Sequence, residues 1–338
     1  MRSTLAVLVL AGLVLLPGCA PATPPAVEEG FVTTSDGVRL YYRRIGSGAK
    51  TLIAPARLFL FEDLRGLGER HTVISYDMRN RGKSDRVADD SKITILADVE
   101  DLETIRKHFG VERFTPVGYS YLGLMVVMYA IQHPERVDRI VQIGPVPLRF
   151  GTRYREEYAA PDWQASLDPE GLAHVRRLRE EKLHETNPKE YCEEEWKVTR
   201  FSLVGDPAKV DRLPTDICEM ENEWPVNLAR HFQTHFQSVQ HLEIPREEIG
   251  LVTAPVLTIH GTSDRNAPYG SGRDWAYLLP DARLLTMKGA AHQAFAEAPE
   301  IVLPAIETFI EGGWPAGSEE VTTDPRAPDP GEPPGAGM

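Results

Sequence analysis

Cysteine is scarce, with three residues in 338. So few cannot staple a chain of this size, and the fold must rest on an apolar core. Basic residues are also in deficit. Lys and Arg total 37 against 50 Asp and Glu, for a net charge of -13. That balance leaves no electrostatic footprint for nucleic acid, and acidity by itself mainly favours solubility. No apolar run reaches the ~20 residues that cross a bilayer comfortably, which excludes a polytopic membrane protein. The His-Glu spacing of zinc peptidases is absent, as is a Gly-rich phosphate loop of the required spacing. No metal and no cofactor is therefore expected. What remains is ordinary for a folded protein: 42% apolar and 26% charged residues. At roughly 150 residues per domain, the length allows one large domain or two ordinary ones.

The two ends stand apart from the rest. Residues 5–16 are continuously apolar after Met1-Arg2, which fits the core of an export signal. The run ends in Leu16-Pro17-Gly18-Cys19, a pattern similar to a bacterial lipobox, although Pro17 is unusual inside one. The expectation is a signal peptide over 1–18, lipidation of Cys19 and a Pro/Ala-rich tether over 19–30. The protein would then be exported and lipid-anchored at the bacterial cell envelope. Ordinary cleavage after Ala20-Pro21-Ala22 is the alternative, and would leave a secreted or periplasmic soluble protein. At the other end, residues 312–338 are rich in Pro, Gly and acidic side chains and predict a disordered tail.

Between these ends the pattern alternates between strand and helix. Residues 31–34 and 38–43 around Asp36-Gly37 predict a hairpin. Strands are predicted over 51–53, 71–77, 114–117, 139–143, 254–259 and 283–287, and helices over 97–109, 121–133, 275–279 and 299–310. Gly270-Ser271-Gly272 reads as a loop. Such alternation argues for a mostly parallel sheet with helices on both faces, an α/β fold. Residues 150–250 break it, with helical spacing and many charges, and read as an inserted helical cap.

Three residues follow predicted strands and carry the chemistry of nucleophilic catalysis. Ser120, in Gly118-Tyr119-Ser120-Tyr121-Leu122-Gly123, lies where a strand runs directly into a helix. Such a turn exposes the hydroxyl beside the positive end of the helix. A Ser hydroxyl needs a base to take its proton and a third group to orient that base. Asp264 follows the strand ending in His260-Gly261, and His292 follows the strand ending at Met287. All three project from one edge of the sheet. His260 reads as structural. His231 and His235, four apart on a predicted helix, read as a solvated cap face rather than a metal site.

This set resembles the α/β-hydrolase family over most of residues 31–311. Asp77-Met78-Arg79-Asn80-Arg81-Gly82-Lys83-Ser84-Asp85 is similar to the family's segment after the fourth strand, and residues 150–250 fall where the family places its cap. The resemblance implies a hydrolase core over 31–149 and 251–311, with Ser120 as nucleophile, Asp264 as acid and His292 as base. The end of the sixth strand, where some members keep the acid, reads Gly144-Pro145 and offers none. Two positions depart from the pattern. Leu122 stands where a small residue is usual, and Ala54-Pro55 replaces the usual His-Gly. Pro55 has no N–H to give, so the implied oxyanion donors are the N–H groups of Ala56 and Tyr121, with Arg57 as fallback.

The activity so implied is that of a serine hydrolase cleaving an ester or amide of a small molecule or short peptide through an acyl-enzyme. A Ser nucleophile argues against dehalogenase or epoxide hydrolase chemistry, while a cofactor-free haloperoxidase-like activity would keep the same triad. Within the family the chain is loosely similar to proline iminopeptidases. In those, cap carboxylates hold a substrate amine, and here Glu193-Glu194-Glu195 and Glu219, Glu221 and Glu223 invite comparison, although a solvated helix face accounts for them as well. A non-catalytic surface binding protein on the same fold is the alternative from another class. Cys192 and Cys218 would meet an oxidising compartment after export, and the sequence leaves open whether they are bridged. It leaves the oligomeric state open as well.

Overall fold

The computed structural model describes residues 26–240, 242 and 244–328. The expected signal peptide and Cys19 lie outside the described residues. The strands are β1 (Glu28–Thr33), β2 (Arg39–Ile45), β3 (Thr51–Pro55), β4 (Thr72–Tyr76), β5 (Thr115–Tyr119), β6 (Ile140–Ile143), β7 (Val256–Gly261), β8 (Ala282–Met287) and β9 (Ser318–Glu319). They form one sheet in the order β1-β2-β4-β3-β5-β6-β7-β8-β9. β3 to β8 pair in parallel, and β1, β2 and β9 are antiparallel. The central strands β4, β5, β6 and β7 are buried at every residue, because helices cover both faces.

On one face pack α2 (Ile95–His108), α3 (Leu122–Gln132) and α9 (Tyr269–Leu278); on the other pack α1 (Arg57–Leu64) and α11 (Pro299–Ile310), preceded by the single turn α10 (Ala294–Glu297). α2 shows how local signals set these bounds. Thr94 caps it by accepting from the Ala97 N–H, Arg106, Lys107 and His108 close its last turn, and Gly110 stops it at φ +63°. Val99, Leu102 and Ile105 form its buried stripe. Between β6 and β7 the chain leaves the sheet and forms α4 (Pro169–Glu180), α5 (Leu183–Thr186), α6 (Pro188–Thr199), α7 (Pro225–Gln240) and α8 (Arg246–Ile249). Cys192 and Cys218 are bridged within this segment, with Cα atoms 5.7 Å apart.

Four expectations are corrected. β1 begins at Glu28, inside the stretch expected to be a tether, because Glu28–Thr33 finds a full antiparallel partner in β2. Residues 312–328 are ordered rather than disordered. Ser318 and Glu319 add an edge strand to β8, the Trp314 ring packs tilted 5.0 Å from the Phe309 ring, Val321 is buried, and Arg326 pairs with Asp324. Backbone pairing and a few anchors hold this strap without an apolar stripe. Gly270-Ser271-Gly272 is the first turn of α9, where a Cβ on Gly270 would strike the Tyr154 ring at 2.3 Å and one on Gly272 the His260 ring at 2.4 Å. These glycines serve close packing. His231 and His235 are buried, not solvated, because α7 is wedged between the cap and α2.

The Asp77-to-Asp85 segment is a hub of ion pairs. Asp77 pairs with Arg57, Arg79 with Asp101, Arg81 with Glu223 and Asp85 with Arg39. Gly82 sits at φ +50°, and a Cβ there would lie 2.2 Å from the Asp77 carboxylate. Burial pushes Asp101 up to about 6 against the pull of Arg79.

Candidate active site

Ser120 occupies the sharp turn between β5 and α3 at φ +58°, a left-handed conformation that an L-residue adopts at a cost. Close approaches make the turn possible. A Cβ on Gly118 would lie 2.3 Å from the Leu122 carbonyl oxygen, and one on Gly123 2.7 Å from the Pro145 side chain. Gln142 on β6 braces the turn by donating to the Gly123 carbonyl (2.9 Å) while accepting from Thr258 (2.8 Å). The usual small residue is thus displaced by one position, to Gly123. Leu122 is buried and lines the cavity above Ser120.

Asp264 and His292 meet as the sequence order predicts. Asp264 Oδ2 lies 2.7 Å from His292 Nδ1, and Asp264 Oδ1 accepts the N–H groups of Asn266 (2.8 Å) and Ala267 (2.9 Å). His260, expected to be structural, places Nε2 3.2 Å from the same Oδ2. Burial opposes ionisation of Asp264, yet His292 and His260 together hold its carboxyl well below the usual range. Asp264 therefore stays charged, and a charged carboxylate can only accept from His292 Nδ1. The Tyr119 ring, 4.8 Å from the His292 ring, and Phe295 beyond it hold the imidazole plane. Gly144 explains why this corner carries no alternative acid: a Cβ there would lie 3.2 Å from both Asp264 Oδ2 and His292 Nδ1.

Ser120, His292, Ala56 and Tyr121 line one cavity of about 420 Å³. Ala56 stands at φ +64°, between Pro55, which closes β3, and α1. Neither the Ala56 N–H nor the Tyr121 N–H donates a hydrogen bond among the described residues. Ala56 and Tyr121 thus each bring an unspent donor to the residues that line the cavity with Ser120. The Arg57 N–H, the fallback donor, likewise donates no hydrogen bond among the described residues, while the Arg57 side chain pairs with Asp77.

The walls are largely apolar, with Phe59, Val146 and Phe150 facing Leu228, Phe232 and Phe236 of α7. Apart from His292, the charged lining residues are Arg81, Glu223 and Glu195. The first two neutralise each other. Glu195 is partly buried, accepts from the Tyr191 hydroxyl at 3.3 Å and has its pKa raised by burial. The remaining cap carboxylates are spent at the surface: Glu194 on Lys197 and His174, Glu193 and Glu219 on Lys189, Glu221 on Arg86. The sequence singled out Glu195 and Glu223 only as members of two acidic clusters, without separating them from their neighbours, and gave no sign of Arg81 in the wall. The helical spacing of Cys192, Glu195 and Thr199 on one face of α6 was the available signal.

Residues 57–299 match the family model described as alpha/beta hydrolase fold. A non-heme haloperoxidase of Rhodococcus erythropolis is 25% identical over 83% of this chain and 99% of its own length. The esterase YbfF of Escherichia coli is 26% identical over 73% of this chain and 85% of its own. A proline iminopeptidase of Xylella fastidiosa is 24% identical over 84% and 96%. Among solved structures, a serine hydrolase from Cycloclasticus zankles superposes with a TM-score of 0.63 at 16% identity, covering 85% of this chain and 99% of that one.

Proposed function

The chain belongs to the alpha/beta hydrolase fold family and is a hydrolase, and from that premise we propose that it cleaves esters or amides of small, largely apolar acyl groups through an acyl-enzyme on Ser120. The observation that carries this reading is the 2.7 Å contact of His292 with Asp264 at the edge of the cavity that exposes Ser120. Ser120 Oγ attacks the substrate carbonyl carbon while His292 Nε2 takes its proton. The oxyanion accepts hydrogen bonds from Ala56 and Tyr121, and Asp264 balances the imidazolium. The leaving group departs with the proton from His292. Water then attacks the acyl-enzyme, giving its proton to His292, which passes it to Ser120 Oγ as the carboxylic acid departs. Labelling with a fluorophosphonate probe tests this. Wild type labels and turns over short p-nitrophenyl esters, and Ser120→Ala does neither. Full labelling of that variant would refute the assignment.

Glu195 favours a second reading, an aminopeptidase in which a substrate amine meets this carboxylate. Glu223 does not serve that role, because Arg81 already occupies it. An aminoacyl anilide compared with its N-acetylated form separates the two readings. Loss of cleavage on acetylation supports the aminopeptidase; equal rates, or ester hydrolysis alone, eliminate it.

The proposal for location is lipid anchoring at Cys19, which lies outside the described residues. Cys19→Ser should release the protein from the membrane fraction, since stable anchoring takes two or more acyl chains. Wild type recovered soluble outside the cell would point to ordinary signal cleavage.

A further inference from the structure

Helix α7 presents two different flanks. Leu228, Phe232 and Phe236, spaced one turn apart, line the cavity. His231, His235 and Val239, spaced in the same way, are the buried residues of its other flank. On that flank His235 Nε2 lies 2.7 Å from Asp98 Oδ2 of α2, with the two side chains 0% and 1% exposed. One turn on, Ser238 Oγ accepts the Ile95 N–H at 3.2 Å. The cap helix is thus pinned to the core at the start of α2.

The His235 ring also touches the residue after the nucleophile. Its centroid lies 4.5 Å from that of Tyr121, with the planes tilted by 53°. From the core side the Tyr121 hydroxyl donates to Met78 Sδ at 3.0 Å. Tyr121 is therefore gripped between a core methionine and a cap histidine, and the histidine is itself fixed by a buried carboxylate.

We propose that His235, held by Asp98, is a positioning residue for the acyl-transfer reaction: it seats the Tyr121 ring and thereby fixes the Tyr121 N–H on the oxyanion. The inference rests on the Ser120 reading above. An oxyanion donor works only at hydrogen-bond distance from the charge that develops. The Tyr121 N–H is carried by the same residue as the gripped ring, so the two ring contacts anchor the backbone of the turn that presents the donor. Because His235 belongs to the cap and Tyr121 to the turn, the oxyanion site is complete only with the cap seated.

The test separates the ring contact from the buried charge. In an Asp98→Leu background, which leaves no unpaired carboxylate, His235→Phe keeps a ring against Tyr121 and His235→Leu removes it. The Leu variant should lose about tenfold in kcat with KM unchanged within twofold, since small misplacements of a catalytic group cost one to two powers of ten. The Phe variant should recover most of that loss. Affinity for a trifluoromethyl ketone, which forms the oxyanion adduct, should fall in step with kcat. Equal kcat in the two variants, or a loss confined to KM, would overturn the proposal. Tyr121→Leu in the natural background tests the same contact if the double variants do not fold. It should lower kcat similarly, and unchanged kcat would overturn the proposal. Fluorophosphonate labelling of wild type keeps the two levels apart. Absent labelling refutes both readings, whereas labelled wild type with equal kcat across the variants refutes only the positioning role.

Discussion

Arg81 and Glu223 face each other as two forks sealed inside the protein, with Nε to Oε1 at 3.0 Å, Nη2 to Oε2 at 2.8 Å and side chains 9% and 0% exposed. The Gly82 N–H adds a third bond to Oε1, and Asn222 donates to the Gly82 and Ser84 carbonyls. The cap thus docks on the core loop through a buried ion pair beside the cavity. Removing one partner strands the other. Glu223→Ala should cost about 3–5 kcal/mol in unfolding free energy, measured by urea titration. Arg81→Met with Glu223→Leu should recover most of that loss, because an apolar pair carries no desolvation penalty.

Asp264 and Gly144 support a prediction about His292, the proposed base. Asp264→Asn replaces the acceptor of His292 Nδ1–H by a group that favours the wrong tautomer. It should lower kcat about 10⁴-fold on a p-nitrophenyl ester while leaving the circular dichroism spectrum unchanged. Gly144→Ala acts on the same contact without touching its charge. Its Cβ would crowd Asp264 and His292 at 3.2 Å, and its φ of +52° adds about 1–2 kcal/mol of strain for an L-residue. A lowered kcat with KM nearly constant is expected. Wild-type kcat in Gly144→Ala would show that this corner tolerates displacement.

The parts legible in the sequence share a physical cause. Ser120 and Asp264 follow fully buried strands and His292 a largely buried one, so a one-dimensional pattern of apolar runs was enough to bring them to one edge. Helix α1 was not legible. Its 8 residues, Arg57–Leu64, follow a proline and are capped by a left-handed Ala56, without a side-chain cap. The Arg81–Glu223 and Asp98–His235 pairs were hidden for another reason. Their partners are separated by 142 and 137 residues, and no local rule links them. The flank bearing His231 and His235 resembled a solvated surface because histidine is polar, yet packing against α2 buries it. The 312–328 strap follows backbone pairing to β8, which composition does not report.

The cap disulfide gives a stability prediction with a chemical readout. Cys192 lines the cavity and Cys218 lies 26 residues further on, in the turn that packs Ile217 against Trp196 and Trp224. A bridge closing such a loop contributes roughly 3–4 kcal/mol by restricting the unfolded chain. Thiol titration of the denatured, unreduced protein should find neither Cys192 nor Cys218 free. Cys192→Ala with Cys218→Ala should lower the denaturation midpoint accordingly. Two titratable thiols from this pair would reject the bridge.

His231 gives the last prediction, on pH. It is 1% exposed, and neither ring nitrogen has a hydrogen-bond partner among the described residues. Burial first, then the neighbouring Arg81 and His235, push its pKa down to about 2. In the unfolded chain it titrates near the ordinary value of about 6.5. Between those limits the unfolded state holds a proton that the folded state does not. Stability is therefore full above pH 6.5 and falls as the pH drops below it, by about 1.4 kcal/mol per unit. From pH 7.5 to 5 this one side chain should account for about 2 kcal/mol of lost stability. His231→Leu fills a similar volume and cannot bind the proton. Urea unfolding at the two pH values should show that the variant loses about 2 kcal/mol less than wild type. Identical losses would mean that His231 gains a proton partner in the folded protein at low pH.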